Sequence, residues 1–162
     1  MEHLWAPWRL EYIKSDKKKN GCILCNVQKE EERSLVIYQA TLSFVVLNKY
    51  PYSTGHLMVC PNRHVDSLDK LTKKEISEMG LLKQKCITVL KDALHPMGFN
   101  MGLNQGYAAG AGIADHLHEH IVPRWSGDTN FMPIIGNTRV LSVYLEDIYK
   151  KLYPKFKGLM KK

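Results

Sequence analysis

The distribution of apolar positions divides the chain into a few unambiguous segments. "LVIYQ" (35–39) and "LSFVVLN" (42–48) are runs of β-branched and aromatic residues separated by a short break. They predict an antiparallel hairpin. "GHLMVCP" (55–61) predicts a third strand, introduced by the turn-rich "PYSTG" and ended by Pro61. A long helix is expected next. Thr72 and Glu75 have capping-box spacing, and Ile76, Met79, Leu82, Cys86, Val89, Leu90 and Ala93 recur at helical intervals as one buried stripe. Pro96 stops it. "GFNMGLN" (98–104) and "HLHEHIVPR" (116–124) predict two further strands, joined through the glycine-rich turn "GYAAGAG". A final helix is expected over roughly 139–152, with Leu141, Tyr144, Leu145, Ile148 and Leu152 on one side. Strands grouped around one long helix imply an α+β fold: a mainly antiparallel sheet with one long helix and a C-terminal helix.

Composition narrows the classes. A chain of 162 residues suits one domain with a real hydrophobic core. It has no run of about 18 apolar residues, so no membrane span is expected. The opening "MEHLWAPWRLEYI" does not read as a secretory signal, and a cytoplasmic location is expected. Lys and Arg outnumber Asp and Glu by 23 to 16, a formal charge of +7, which favours anionic partners without choosing among phosphates, nucleotides and nucleic acid. The basic runs "KSDKKKN" and "KFKGLMKK" are read as solvated loop and tail, and Trp5 and Trp8 as packing residues. Cys60 and Cys86 lie in apolar surroundings and are expected to be buried as small apolar side chains. Cys22 and Cys25 form a C-x-x-C, which suits either a redox pair or half of a zinc site; the redox reading wants a thioredoxin-like βαβ context that the pattern lacks.

The run "HLHEHIVPRW" places a histidine at every second position: His116, His118 and His120. On a strand these share a face, opposite Leu117, Glu119 and Ile121. Adjacent members would lie about 6.5–7 Å apart at Cα and the outer two about 13 Å apart, so one metal bound by all three is strained. A row of imidazoles along a substrate is geometrically easier. Neutral imidazole is a competent nucleophile and proton carrier near pH 7, and His118, flanked on both sides, is a plausible attacking residue.

These residues resemble the signature of the histidine triad (HIT) family, His-x-His-x-His followed by two apolar residues, here Ile121 and Val122. "FVVLNKYPYSTGHLMVCPNRHV" and "GFNMGLNQG" resemble the family's two upstream segments. The resemblance covers roughly residues 22–125. "LWAPWR" and "PRWSGDTNFMP" are most similar to bacterial members near the Fhit and diadenosine tetraphosphate phosphorylase branch. It implies a single HIT-like domain over 1–162, with 1–33 as an N-terminal segment carrying the C-x-x-C and 139–162 as a C-terminal helix and basic tail. It also implies a homodimer whose sheets run together.

The activity implied is a nucleotidyl hydrolase or transferase acting on an adenine dinucleoside polyphosphate or related nucleotide, with no nucleic acid or membrane as partner. The catalytic residues implied are His118 as nucleophile at the α-phosphorus, His120 in phosphate contact and proton transfer, and His116. His56 would face the phosphate region, Asn48 would bind ribose hydroxyls, and Asn104 would lie beside phosphate. Many relatives carry Gln, Ser or Thr three or four residues before the first histidine. Here Gly112 and Ile113 stand there, so backbone N–H groups, Gly112's included, are expected to substitute, and the leaving-group preference is open. Imidazoles, an amide and backbone donors can balance phosphoryl charge without a catalytic metal. Some relatives hold structural zinc; the matching set is Cys22, Cys25, His64 and His116, which would close a tetrahedron. A nucleoside phosphoramidase of Hint type and a zinc-stabilised nucleic-acid-binding module are the rival functions.

Overall fold

The computed structural model describes residues 21–29, 35–128, 141 and 143–159. His3, Trp5, Trp8 and the first basic run lie outside them. Among the described residues five strands form one sheet: β1 (Val36–Gln39), β2 (Ser43–Leu47), β3 (Leu57–Pro61), β4 (Gly98–Leu103) and β5 (Glu119–Arg124). The order is β1-β2-β3-β5-β4 and every neighbouring pair is antiparallel. Three α-helices accompany it, α1 (Ile23–Val27), α2 (Lys73–Leu94) and α3 (Leu145–Leu159), with short 3-10 turns at Leu68–Lys70 and Tyr107–Ala109. The α+β architecture expected from the apolar pattern is the one observed.

All residues of β2 and β3 are buried, which explains their continuous apolar runs. On one face Val45, Leu47, Leu57, Val59, Leu117 and Ile121 form the main core with α2 and α3. On the other, Phe44, Val46, Met58 and Cys60 pack with Leu24 of α1. Cys60 and Cys86 are buried as expected, and burial pushes both thiols above their ordinary range.

The long helix carries both halves of its capping box: Thr72 accepts from the Glu75 N–H, and Glu75 accepts from the Thr72 N–H at 2.7 Å. One position of the expected stripe is wrong. Ile76 is 48% exposed, and Glu75 is the buried residue of that turn. Its carboxylate is held by the Arg63 guanidinium at 3.0–3.1 Å as well as by Thr72, so an acid replaces the apolar residue there. The helix ends at His95, which caps it in the left-handed region at φ 50°. That is an uncommon conformation for a residue with a side chain.

The last helix starts and ends later than the sequence suggests. Leu141 and Tyr144 are exposed; Ile148, Leu152 and Phe156 are buried, four residues apart, against α2 and β1. Phe156 stacks on Tyr38, and Lys155 pairs with Asp92. The run "KFKGLMKK" therefore begins as helix, with its one aromatic in the core; 160–162 lie outside the described residues.

Gly55 closes the turn before β3 with φ 78°. That handedness favours glycine, and a Cβ there would sit 2.5 Å from Leu94 Cδ1, so the tip of Leu94 would also have to move.

Candidate active site and metal centre

The strand carrying the histidines is shorter than the alternating pattern predicts. Its ladder begins at Glu119, opposite Val59 and Leu103, and His116 to His118 precede it. The backbone groups of that segment bond elsewhere: the Leu117 N–H donates to the Val65 carbonyl at 2.6 Å, and the His116 carbonyl accepts from His118. The expected single row of imidazoles is thereby split in two.

His118 and His120 stay together, with ring centroids 4.9 Å apart and nearly perpendicular. His118 is buried, and its Nδ1 lies 2.9 Å from the His116 carbonyl. A carbonyl only accepts, so Nδ1 carries the proton and Nε2 keeps its lone pair. Burial pushes the imidazole below its ordinary range, favouring the neutral form at pH 7.

The proton of His120 is fixed through a longer chain. The Tyr52 N–H donates to His56 Nδ1 at 3.0 Å, so neutral His56 carries its proton on Nε2. That nitrogen lies 2.9 Å from His120 Nδ1 and donates to it, leaving the His120 proton on Nε2. His56 is fully buried behind His120, with the Tyr52 ring tilted against both. Neighbouring histidines thus present opposite functions: a bare Nε2 at 118 and an N–H at 120.

The other half of the split row faces different chemistry. His116 is fully buried and donates Nε2–H to the Pro61 carbonyl at 2.9 Å. Its Nδ1 lone pair is directed at Cys22 Sγ, 3.3 Å away, and Cys25 Sγ, 3.5 Å away. His64 Nδ1 lies 3.4 Å from Cys25 Sγ, and the four donor atoms all fall within 4.8 Å of one another. Around a tetrahedral zinc, the usual Zn–S and Zn–N bond lengths place sulfur and nitrogen about 3.5 Å apart. Two soft sulfurs and two imidazole nitrogens therefore fit a closed four-coordinate metal site. Burial and the adjacent Cys22 thiol push the Cys25 thiol up, an effect that a cation at the cluster would reverse.

The remaining expected site residues are placed as follows. Asn48 Oδ1 accepts from the Tyr50 N–H at 2.9 Å and its amide nitrogen lies 3.2 Å from His56 Nδ1, so Asn48 shapes the turn leading to His56. Asn104 directly follows β4 and is half-buried. Gly112 is half-buried in the segment between the Tyr107–Ala109 turn and His116. Sequence reasoning missed three contributors: the Tyr52 N–H, the Pro61 carbonyl, and the pair of Glu119 with Lys83 at 2.7 Å. Only the last left a signal, an acid at an apolar position of the strand.

The family model of the HIT domain matches residues 29–127. The chain is 41% identical over 161 residues to AP-4-A phosphorylase of Mycobacterium tuberculosis, an alignment spanning 94% of this chain and 83% of that protein. It is 33% identical over 92 residues to bis(5'-adenosyl)-triphosphatase of Dictyostelium discoideum, spanning 57% of this chain and 61% of that one. In fold it matches a Zn-bound histidine triad family protein from Mycobacterium smegmatis with a TM-score of 0.70 at 23% identity, covering 87% of this chain and 96% of the other.

Proposed function

Because this chain belongs to the histidine triad (HIT) family, we propose that it cleaves dinucleoside polyphosphates at the α-phosphorus through a nucleotidyl-histidine. The bare Nε2 of His118, held by the His116 carbonyl, is the observation that carries this reading. In the first step Nε2 bonds to the α-phosphorus as the bond from phosphorus to the bridging oxygen breaks. The Nε2–H of His120 donates a hydrogen bond to the phosphate and eases departure of the bridging oxygen, which leaves on the polyphosphate as an anion while His120 keeps its proton. In the second step water or inorganic phosphate attacks phosphorus, any proton on the attacking oxygen passes to solvent, the N–P bond breaks, and His118 recovers its lone pair. The relative named AP-4-A phosphorylase favours phosphate as acceptor.

Asn104 and the backbone N–H of Gly112 line the phosphate side. Asn48 meets the ribose with the hydrogen-bonding capacity its turn leaves unused. Zinc occupies the cluster of Cys22, Cys25, His64 and His116, tying α1 to the start of the histidine segment; its role is structural. Thiols kept for a metal suit the reducing cytoplasm, and among the described residues no helix is long and apolar enough to cross a membrane. The edge strand β4, with Met101 46% exposed, suits pairing with a second copy, so that two sheets run together in a homodimer.

Rapid quenching with diadenosine tetraphosphate, followed by peptide mass spectrometry, tests the mechanism. An adenylate on His118 is expected. Brisk turnover with the adduct on another side chain, or on none, ends this reading. Comparing products with and without inorganic phosphate identifies the acceptor. Adding an adenosine phosphoramidate and an oligonucleotide to the panel exposes the two rivals: preferential phosphoramidate cleavage, or tight oligonucleotide binding without any nucleotide cleavage, would replace the proposal.

A further inference from the structure

Glu119 interrupts the apolar alternation of the histidine segment. Leu117 and Ile121, its neighbours on the α2 side, are buried in the main core. Between them Glu119 Oε2 accepts a hydrogen bond from Lys83 Nζ of α2 at 2.7 Å. The side chains of Lys83 and Glu119 are only 26% and 16% exposed. Removing two charges from water offsets much of their attraction, so an apolar pair of similar volume would serve stability as well or better. An ion pair adds direction: charge-assisted hydrogen bonds fix length and angle, whereas apolar contacts tolerate sliding.

The location gives that direction a use. Glu119 is the residue at which β5 enters the sheet, paired with Val59 on one side and Leu103 on the other. His118 lies just before this point and His120 just after it, on the opposite face from Lys83. The two peptide units that carry both imidazoles thus meet at the anchored residue. We infer that Lys83 and Glu119 form a positioning pair, which sets the height of the strand against α2 and so aims His118 Nε2 at the phosphorus and His120 Nε2–H at the oxygens of the same phosphate. This rests on the nucleotidyl transfer proposed above.

The deciding variant is K83M/E119L, which keeps the volume and removes both charges. Its thermal midpoint is expected to equal or exceed the parent's. With diadenosine tetraphosphate, KM should stay within about twofold while kcat falls about tenfold or more, because a small misplacement of reacting groups is costly. Imidazole 15N spectra should show His118 leaving its single Nδ1–H tautomer for a mixture. The reversed pair K83E/E119K should recover much of the kcat lost in E119Q. Parental kcat and an unchanged His118 spectrum in K83M/E119L would overturn the inference, since the pair would then serve the fold alone. A parent that cleaves none of the nucleotides would defeat the proposed function instead, and the His118 spectra of the two proteins would still decide the role of the pair.

Discussion

His116 and His120 are the same residue type, each two positions from His118, yet they occupy different chemical worlds. His116 gives its N–H to a carbonyl and its lone pair to a corner of soft donors, where nothing needs to exchange. His120 takes its place at the end of a chain of hydrogen bonds from the Tyr52 N–H through His56, which leaves its own proton on Nε2. The difference lies in the second ring nitrogen. A carbonyl behind one ring and an imidazole behind the other decide which tautomer each histidine keeps, and the tautomer decides what each can do.

The comparison can be broken most severely at the cysteine corner. Cys22→Ser should reduce bound zinc from about one ion per chain to almost none and lower the thermal midpoint on the order of 10 °C. Metal analysis and calorimetry check this; an unchanged metal content would remove zinc from the corner. The His120 side is broken by His56→Gln, which takes away the imidazole behind it. There kcat should fall about 100-fold while zinc content and midpoint stay near parental values; steady-state kinetics with an unaffected kcat would show that the His56 proton is idle.

A smaller effect, outside both corners, serves as control. Arg63 first, with Thr72, holds the Glu75 carboxyl at about 2, well below its ordinary range, despite the opposing effect of burial. A depressed folded value stabilises the protein above the unfolded one and loses that stabilisation as pH falls through the folded one. The difference in midpoint between the parent and Glu75→Gln should therefore be constant above about pH 5 and shrink between about pH 4.5 and 2. Thermal melts across that range check it, and a difference that grows on acidification would contradict the assignment.

The sequence made the sheet legible because β2 and β3 are buried on both faces and so read as unbroken apolar runs. It also identified the four residues that converge at the cysteine corner, though only through family resemblance: C-x-x-C and two histidines far apart in the chain carry no mark of their meeting. Glu75 keeps its capping role, but Ile76 leaves the buried stripe because an acid satisfied by Arg63 can occupy a buried turn that periodicity assigns to an apolar side chain. The end of α3 was misread because Phe156 stands among lysines, and composition outweighed a single buried ring. Tautomers were beyond reach altogether. They depend on backbone donors and acceptors at Tyr52, Pro61 and His116, whose directions no side-chain pattern encodes.

The absent Cβ at position 55 has a consequence for anyone recombining or diversifying this chain. Since the δ-carbon of Leu94 fills the space a side chain would take, the turn before β3 and the last residue of α2 are sterically a single locus. A graft that brings a side chain to 55 must therefore come with a residue at 94 whose tip can give way, and it still meets the left-handed backbone of that turn, whereas a graft that keeps glycine at 55 leaves the choice at 94 open.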